Sequence, residues 1–311
     1  MVIERILPWL GSFRDQVALV TGASSGIGRS TALAFARQGA SVALAARRRA
    51  QLEETAASVA SAGGRALIVP TDVTDPRSVR AAVSTVRRKW GRIDCLVNNA
   101  GVLTPAPVME MTAAELEAMF RVNLYGALFM MQTVVPLMQR QQRGTIINVA
   151  SLAGRRGITP LGGYCATKFA LVGLSEALRT ELDPAQIHVG LVMPGVVDTP
   201  MAQQVTSDAD VLLSAWPAAF NMPAEWVAAA IILAARFRLR EISVPPGAAT
   251  LEVLAALAPA LTDTLIGWTR SAAELIGGSP TPLRRARRPR AAQRRTSQRK
   301  AATKPSDTSK A

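Results

Sequence analysis

Tyr164 and Lys168 stand four residues apart in Tyr164-Cys-Ala-Thr-Lys168, a spacing that puts both side chains on one face of a helix. A phenol with its ordinary pKa of about 10 exchanges a proton poorly near neutrality, and a neighbouring ammonium stabilises the phenolate and lowers that value. The pair therefore reads as a tuned acid–base group. Of the chain's two tyrosines, Tyr125 has Phe129 rather than a cation four residues on, which leaves Tyr164 as the candidate. Ser151, at the end of a predicted strand, offers a hydroxyl to a developing oxyanion; taken alone, such a serine is more often a helix or turn cap. The one histidine, His188, falls in a predicted buried strand and is expected to be a core or hydrogen-bonded residue, which excludes a histidine relay. Cys95 and Cys165 belong to no CxxC or Cys/His cluster and are read as free thiols in a reducing compartment. No metal is required.

A second constellation lies near the start of the chain. The run Val17-Ala-Leu-Val-Thr-Gly-Ala-Ser-Ser-Gly-Ile-Gly28 is an apolar strand leading into a glycine loop, followed by a helix expected to begin near Arg29. Gly22, Gly26 and Gly28, with Ser24, Ser25 and Ile27 between them, suit a sharp turn that brings the backbone and a helix N-terminus close to a pyrophosphate. Alone, such a loop is a moderately specific signal whose alternative is an ordinary tight turn; the strand before it and the helix after it strengthen the functional reading. The second strand ends at Ala46 and is followed by Arg47, Arg48 and Arg49, where an NAD site would usually carry an acid for the ribose 2′-hydroxyl. Arginine offers a fork of donors to a 2′-phosphate, so NADP (NADPH) is expected as cofactor, with NAD less favoured.

The elements that must position these residues follow from hydrophobic patterning. From residue 16, short β-branched runs alternate with longer helix-period segments, the pattern of strand–helix units that build a parallel sheet. Strands are predicted at Gln16–Thr21, Ser41–Ala46, Arg65–Pro70, Cys95–Asn98, Gly144–Val149, His188–Met193 and Glu241–Val244. The expected fold class is α/β, a Rossmann-like doubly wound parallel sheet of about seven strands with helices on both faces. Right-handed crossovers would gather ligands at the carboxyl ends of the strands, where the motifs fall.

With these motifs in place, the chain resembles the short-chain dehydrogenase/reductase (SDR) family of oxidoreductases over roughly Asp15 to Val244. The resemblance rests on an ordered set: Thr21 to Gly28, Asp72-Val73, Asn98-Asn-Ala-Gly101, Asn123, Ser151, Tyr164-Cys-Ala-Thr-Lys168, and Pro194-Gly195 with Thr199. It implies an enzyme interconverting an alcohol and a carbonyl compound by hydride transfer. Ser151 would hydrogen-bond the substrate oxygen and Tyr164 would transfer the proton. Lys168 would bind the nicotinamide ribose and support Tyr164, and Asn123 would hold a water linking Lys168 to solvent. Asp72 and Val73 would flank the adenine, Asn99 would lie along the ribose, and Val197 with Thr199 would orient the nicotinamide amide. Helix packing in the family implies a homodimer or homotetramer.

The net charge of +14 over 311 residues is concentrated at one end. From Thr281 onwards there are eleven Lys or Arg against one acid, Asp307, which leaves a folded body near +4. The expected organisation is an N-terminal extension at 1–14, a catalytic domain at 15–247 with a substrate lid at 199–222, an amphipathic helical segment at 248–277 and a basic disordered tail at 278–311. Scattered apolar residues in the lid (Met201, Trp216, Phe220, Met222) suggest a rather hydrophobic ketone or alcohol, though they could equally pack on the core. Leu251, Leu254, Leu257, Leu261, Leu265 and Trp268 recur at helical spacing, fitting a helix packed on protein or lying at a membrane interface. The tail would be drawn weakly to anionic membrane or nucleic acid. No run reaches the length of a membrane span and no secretory leader is recognisable, so a cytoplasmic protein, free or peripheral at a membrane, is expected. Two other readings compete: a catalytically silent dinucleotide-binding regulator, which would show damage at the catalytic positions, and a nucleic-acid-binding protein, which rests wholly on the tail.

Overall fold

The apolar runs pair into one parallel sheet. A computed structural model of the chain describes residues 12–203 and 222–248, with 257, 258, 260 and 264. Most of the expected lid, most of the 248–277 segment and all of the basic tail thus lie outside the described residues. The seven strands are β1 (Val17–Thr21), β2 (Ser41–Ala46), β3 (Arg65–Pro70), β4 (Cys95–Asn98), β5 (Gly144–Val149), β6 (Ile187–Pro194) and β7 (Glu241–Val244). They lie in the order β3-β2-β1-β4-β5-β6-β7, and every pairing is parallel. The order reverses between β1 and β4, the place where an open parallel sheet leaves a crevice at its carboxyl edge. The expected strands are found with small differences: β1 begins one residue later and β6 extends by one residue at each end.

Helices cover both faces: α1 (Gly26–Arg37), α2 (Arg49–Ser61), α3 (Pro76–Trp90), α4 (Ala113–Phe120), α5 (Gly126–Gln141), α6 (Gly162–Glu181) and α7 (Ala224–Phe237). Two apolar cores result. One holds α1 and α7 against the sheet through Phe35, Val42, Leu44, Val227 and Ile231; the other holds α3, α5 and α6 on the opposite face through Leu19, Val86, Met130, Ile146 and Leu171. Helix α1 begins three residues before Arg29, because the first turn forms inside the glycine loop, where Arg29 N–H donates to Ser25 O at 3.2 Å. Between α4 and α5 the chain forms a π turn, Arg121–Tyr125, a wide turn that often marks functional positions.

Phe13, within the expected N-terminal extension, belongs to the core. It is buried, stands edge-on to Phe35 with ring centres 5.1 Å apart, and its N–H donates to Gln38 O at 2.8 Å. His188 is buried with Nε2 3.0 Å from Leu239 O, a core position far along β6 from the carboxyl edge. Cys95 and Cys165 are free and buried.

Candidate active site

The cofactor half of the site is assembled around Thr21 and the glycine loop. Thr21 Oγ1 donates to Val97 O at 3.2 Å and accepts from Asn99 N–H at 2.9 Å and Ala100 N–H at 3.0 Å, so one hydroxyl joins the carboxyl ends of β1 and β4. Asn99 Nδ2 donates to Thr21 O at 3.0 Å, which lays its amide across the loop. Gly22 has φ of +67°, and a Cβ there would stand 2.8 Å from Asn99 Nδ2. At Gly28 a Cβ would collide with the Gly22 carbonyl oxygen and come within 2.6 Å of Asn99 Nδ2. Glycine at both positions is therefore a requirement of close packing, and it leaves the α1 N-terminus open to an anion.

Of the arginines after β2, Arg48 faces the same loop. Arg48 Nη2 donates to Ser24 Oγ at 3.1 Å and to Ser25 Oγ at 3.2 Å; its guanidinium and two hydroxyls form a cluster of donors suited to a phosphate. Burial would raise the Asp72 carboxyl, but hydrogen bonds from Thr74 and, with the smallest share, the charge of Arg47 hold it below the usual range. Thr74 donates to Asp72 Oδ1 from its backbone N–H at 2.9 Å and its hydroxyl at 2.8 Å. Val73 is buried against Gly126 at the start of α5, where a Cβ would meet Val73 Cγ2 at 2.7 Å. Arg49 points away, paired with Glu53 at 3.0 Å on the exposed face of α2.

On the other side of the crevice lie the candidate catalytic residues. Ser151 follows β5 and caps a 3-10 turn, accepting from Ala153 N–H at 3.1 Å, while its hydroxyl donates to Pro194 O at 3.2 Å. Its role as a turn cap and its place beside Tyr164 coexist, since its side chain also lies near enough to the Tyr164 phenol to pull that group's pKa down. Lys168 is buried, with Nζ donating to Val149 O at 2.9 Å and lying 5.6 Å from the centre of the Tyr164 ring. Asn123, in the π turn, accepts from Val102 N–H at 2.8 Å and donates to Val102 O and Thr167 Oγ1, both at 2.9 Å. Both of its amide protons are thus committed, and its direct link to α6 is Thr167 rather than Lys168. Val197 and Thr199, beyond β6, close the crevice: Thr199 Cγ2 stands 3.0 Å from a Cβ built on Gly26, and Val197 forms a bridge with Met222.

One electrostatic expectation is corrected. The Tyr164 pKa does not fall: burial pushes it up to about 12, the Ser151 hydrogen bond pulls against that, and Cys165 adds to the rise. Burial also brings Lys168 down to about 8. Desolvation of both groups outweighs the attraction expected from their spacing.

Residues outside the expected set also build the site. Thr21 and Thr167 tie the loops as described, and Asn98, Asn148 and Ser175 form a buried polar chain beneath the catalytic residues. An asparagine inside each of two apolar strand runs was the available signal. Among the described residues, no group of three His, Cys, Asp or Glu could hold a metal, and no helix is long and apolar enough to cross a membrane.

A reversed parallel sheet with an anion-accepting glycine loop at its crevice defines a dinucleotide-binding α/β protein. Comparison with known proteins agrees: the family model for short chain dehydrogenase matches residues 16–210, and the chain belongs to that family. It is similar to a sorbitol dehydrogenase of Cereibacter sphaeroides, 43% identical over 184 residues, 59% of this chain and 71% of the relative. It is also similar to a galactitol 2-dehydrogenase of Agrobacterium fabrum, 40% identical over 185 residues, again 59% and 71%. Among solved structures, an SDR from Burkholderia phymatum in complex with NAD superposes with a TM-score of 0.74 at 28% identity, covering 81% of this chain and 96% of that one. The chain is accordingly an SDR oxidoreductase, of a family that binds a nicotinamide dinucleotide.

Proposed function

We propose that this oxidoreductase uses NADP(H) to interconvert a rather hydrophobic alcohol and carbonyl compound, with Tyr164 as proton donor and acceptor. The observation that carries the reading is the convergence on one crevice edge of the Ser151 hydroxyl, the Tyr164 phenol whose pKa it lowers and the Lys168 ammonium 5.6 Å from the phenol ring. Gly22, Ser24, Ser25, Gly26, Ile27 and Gly28 would hold the pyrophosphate, Arg47 and Arg48 the 2′-phosphate, Asp72 and Val73 the adenine, and Asn99 with Lys168 the riboses. Val197 and Thr199 would meet the nicotinamide. When bound, the cofactor supplies or accepts the hydride.

In the reducing direction, Ser151 holds the carbonyl oxygen and Tyr164 gives its proton to the charge that develops there. A phenol held near 12 stays protonated at neutral pH and gives its proton up only to a stronger base, which the alkoxide formed by hydride addition would be. In the oxidising direction the phenol must lose its proton, which Lys168 favours as a neighbouring cation. Solvent reaching Lys168 past Asn123 would meet the remaining lone pair of its carbonyl oxygen or the π-turn backbone, since both amide protons are taken.

The substrate side is apolar. A cavity of about 210 Å3 lies between the loops that follow β4 and β5, walled by Ala106, Val108, residues 157–160 and Gly162. Thr159 supplies the one polar side chain of that wall. Ile158 also packs in the small cluster that contains Tyr164, which puts this apolar wall beside the acid–base group. The two dehydrogenases named above are called after polyols; this wall favours a less hydroxylated substrate. The reading also includes assembly as a homodimer or homotetramer, supported by the exposure of Tyr125 and Phe169 beside the site helices, and weak attraction of the basic tail to anionic membrane or nucleic acid. A panel of ketones, aldehydes and alcohols, followed by nicotinamide absorbance with NADPH/NADP and NADH/NAD, tests it. Turnover of apolar carbonyl compounds with NADPH is expected, and absence of turnover with either cofactor would overturn the reading.

A further inference from the structure

The last residues of β5 meet α6 at three heights. At the top, the Ser151 side chain stands beside the Tyr164 phenol, near enough to lower its pKa; below it, Lys168 Nζ reaches Val149 O at 2.9 Å; lowest, Asn148 Nδ2 donates to Ser175 Oγ at 2.8 Å. Tyr164, Lys168, Leu171 and Ser175 form one stripe of the helix, separated by four, three and four residues. Strand and helix therefore run past each other like two rails joined by three rungs, and the lowest rung lies outside the chemistry.

That lowest rung is built with directional groups. Ser175 Oγ donates to Leu171 O at 2.6 Å, which fixes it as the acceptor of the Asn148 amide. Asn148 Oδ1 in turn accepts from Asn98 Nδ2 at 2.9 Å, across the register pair that joins β4 and β5. Asn148 and Ser175 are fully buried and Asn98 is 4% exposed. The chain ends at Asn98 Oδ1, which has no donor among the described residues and so costs stability. An apolar cluster would hold the helix to the sheet at least as firmly, but it would resist sliding less, because hydrophobic attraction has no direction and a hydrogen bond does. A slip of one residue along α6 moves a side chain by about 1.5 Å and turns it by about 100°, enough to lose both upper rungs.

We propose that Asn148 and Ser175 are positioning residues for the reaction: they set the height and rotation of α6 on β5, so that Lys168 stays on Val149 and the Tyr164 phenol stays on Ser151. This rests on the function proposed above, and its test separates the two. In the full-length protein, Ser175→Ala and Asn148→Leu remove the rung while filling its space, Ser175→Thr keeps the hydroxyl, and the double variant closes a cycle. Melting temperature and NADPH affinity are measured alongside kcat and its pH profile. Loss of the rung is expected to lower kcat by about tenfold or more and to move the pH profile, with NADPH affinity within about twofold of the parent. The double variant should lose no more than the worse single one, and Ser175→Thr should retain most of the rate. Ser175→Ala and Asn148→Leu proteins that melt lower but keep the parent's kcat and pH profile would overturn the proposal, as would a fall in kcat without movement of the profile. Should the parent itself turn over no substrate, the function fails first and the rung is read directly. In a Tyr125→Phe background Tyr164 is the sole tyrosine, and its tyrosinate absorbance is titrated with and without Ser175→Ala. A shifted titration supports the positioning role and an unchanged one refutes it.

Discussion

Lys168 and Tyr164 sit one helical turn apart, with the ammonium 5.6 Å from the ring centre, yet burial drives them in opposite directions, the lysine to about 8 and the phenol to about 12. As pH rises in the free protein, the lysine therefore gives up its proton before the tyrosine. Support of the phenolate by a cation then has an upper pH bound set by Lys168. Burial, rather than attraction between the two groups, dominates both shifts.

Replacing Tyr164 by Phe removes one hydroxyl and leaves the ring that packs with Ile158 and Leu161. Turnover is expected to fall by about 100-fold or more, while NADPH binding stays near that of the parent. Steady-state rates and cofactor fluorescence measure the two quantities. A folded Tyr164→Phe protein with normal turnover would remove the proton donor from the mechanism.

The phosphate reading of Arg47 and Arg48 makes an asymmetric prediction. Arg48 spans to the Ser24 and Ser25 hydroxyls, so changing both arginines to Ala should raise KM for NADPH by about tenfold or more and leave KM for NADH nearly unchanged. Parallel rises for both cofactors, or a parent that prefers NADH, would count against a 2′-phosphate clamp.

His188 sets an acid limit on stability. Burial holds its folded pKa down at about 4, from an ordinary 6.5, against the pull of the Leu239 carbonyl. Between those values the unfolded chain binds a proton that the folded one refuses, so stability rises with pH there. The contribution is complete above about pH 6.5 and is lost as pH falls towards 4. Urea midpoints for the parent should drop across this window, and those of His188→Gln should drop less. Equal slopes for the two proteins would assign the acid sensitivity elsewhere.

Asp94 anchors the opposite, amino edge of the sheet. It accepts from Val17 N–H at 2.9 Å, Arg92 Nη2 at 2.7 Å and Arg143 Nη2 at 2.9 Å, and its side chain is nearly buried. Asp94→Ala strands a buried backbone donor and two guanidinium groups. A loss of about 1–3 kcal/mol is expected in denaturant unfolding, with kcat per folded molecule unchanged, because no candidate site residue touches this edge. A selective loss of kcat would show a coupling between the two edges.

Most strands were legible in the sequence because they are short, largely apolar runs, and a buried parallel sheet needs such runs. The site positions were legible through short local motifs, and the structure gathers them along one edge. What could not be read were the links between distant segments. The Arg48 bonds to the serines and the Asn148 bond to Ser175 leave no local periodicity, and neither does the docking of Phe13 on Phe35. The rise of the Tyr164 pKa was missed because spacing reveals a neighbouring charge but says nothing of how much water surrounds it.

The bridge between Val197 and Met222, reinforced by Asp198 N–H donating to Met222 O at 2.9 Å and Met222 N–H to Val196 O at 3.1 Å, gives the chain a common point of departure and return. The bonds join the exit of β6 to the entry of α7 directly, so the registration of the two does not depend on what lies between them in the chain. A chimera that takes this stretch from a relative, cut at Asp198 and Met222, would keep both anchoring points, and the sheet and its polar network are expected to stay as they are.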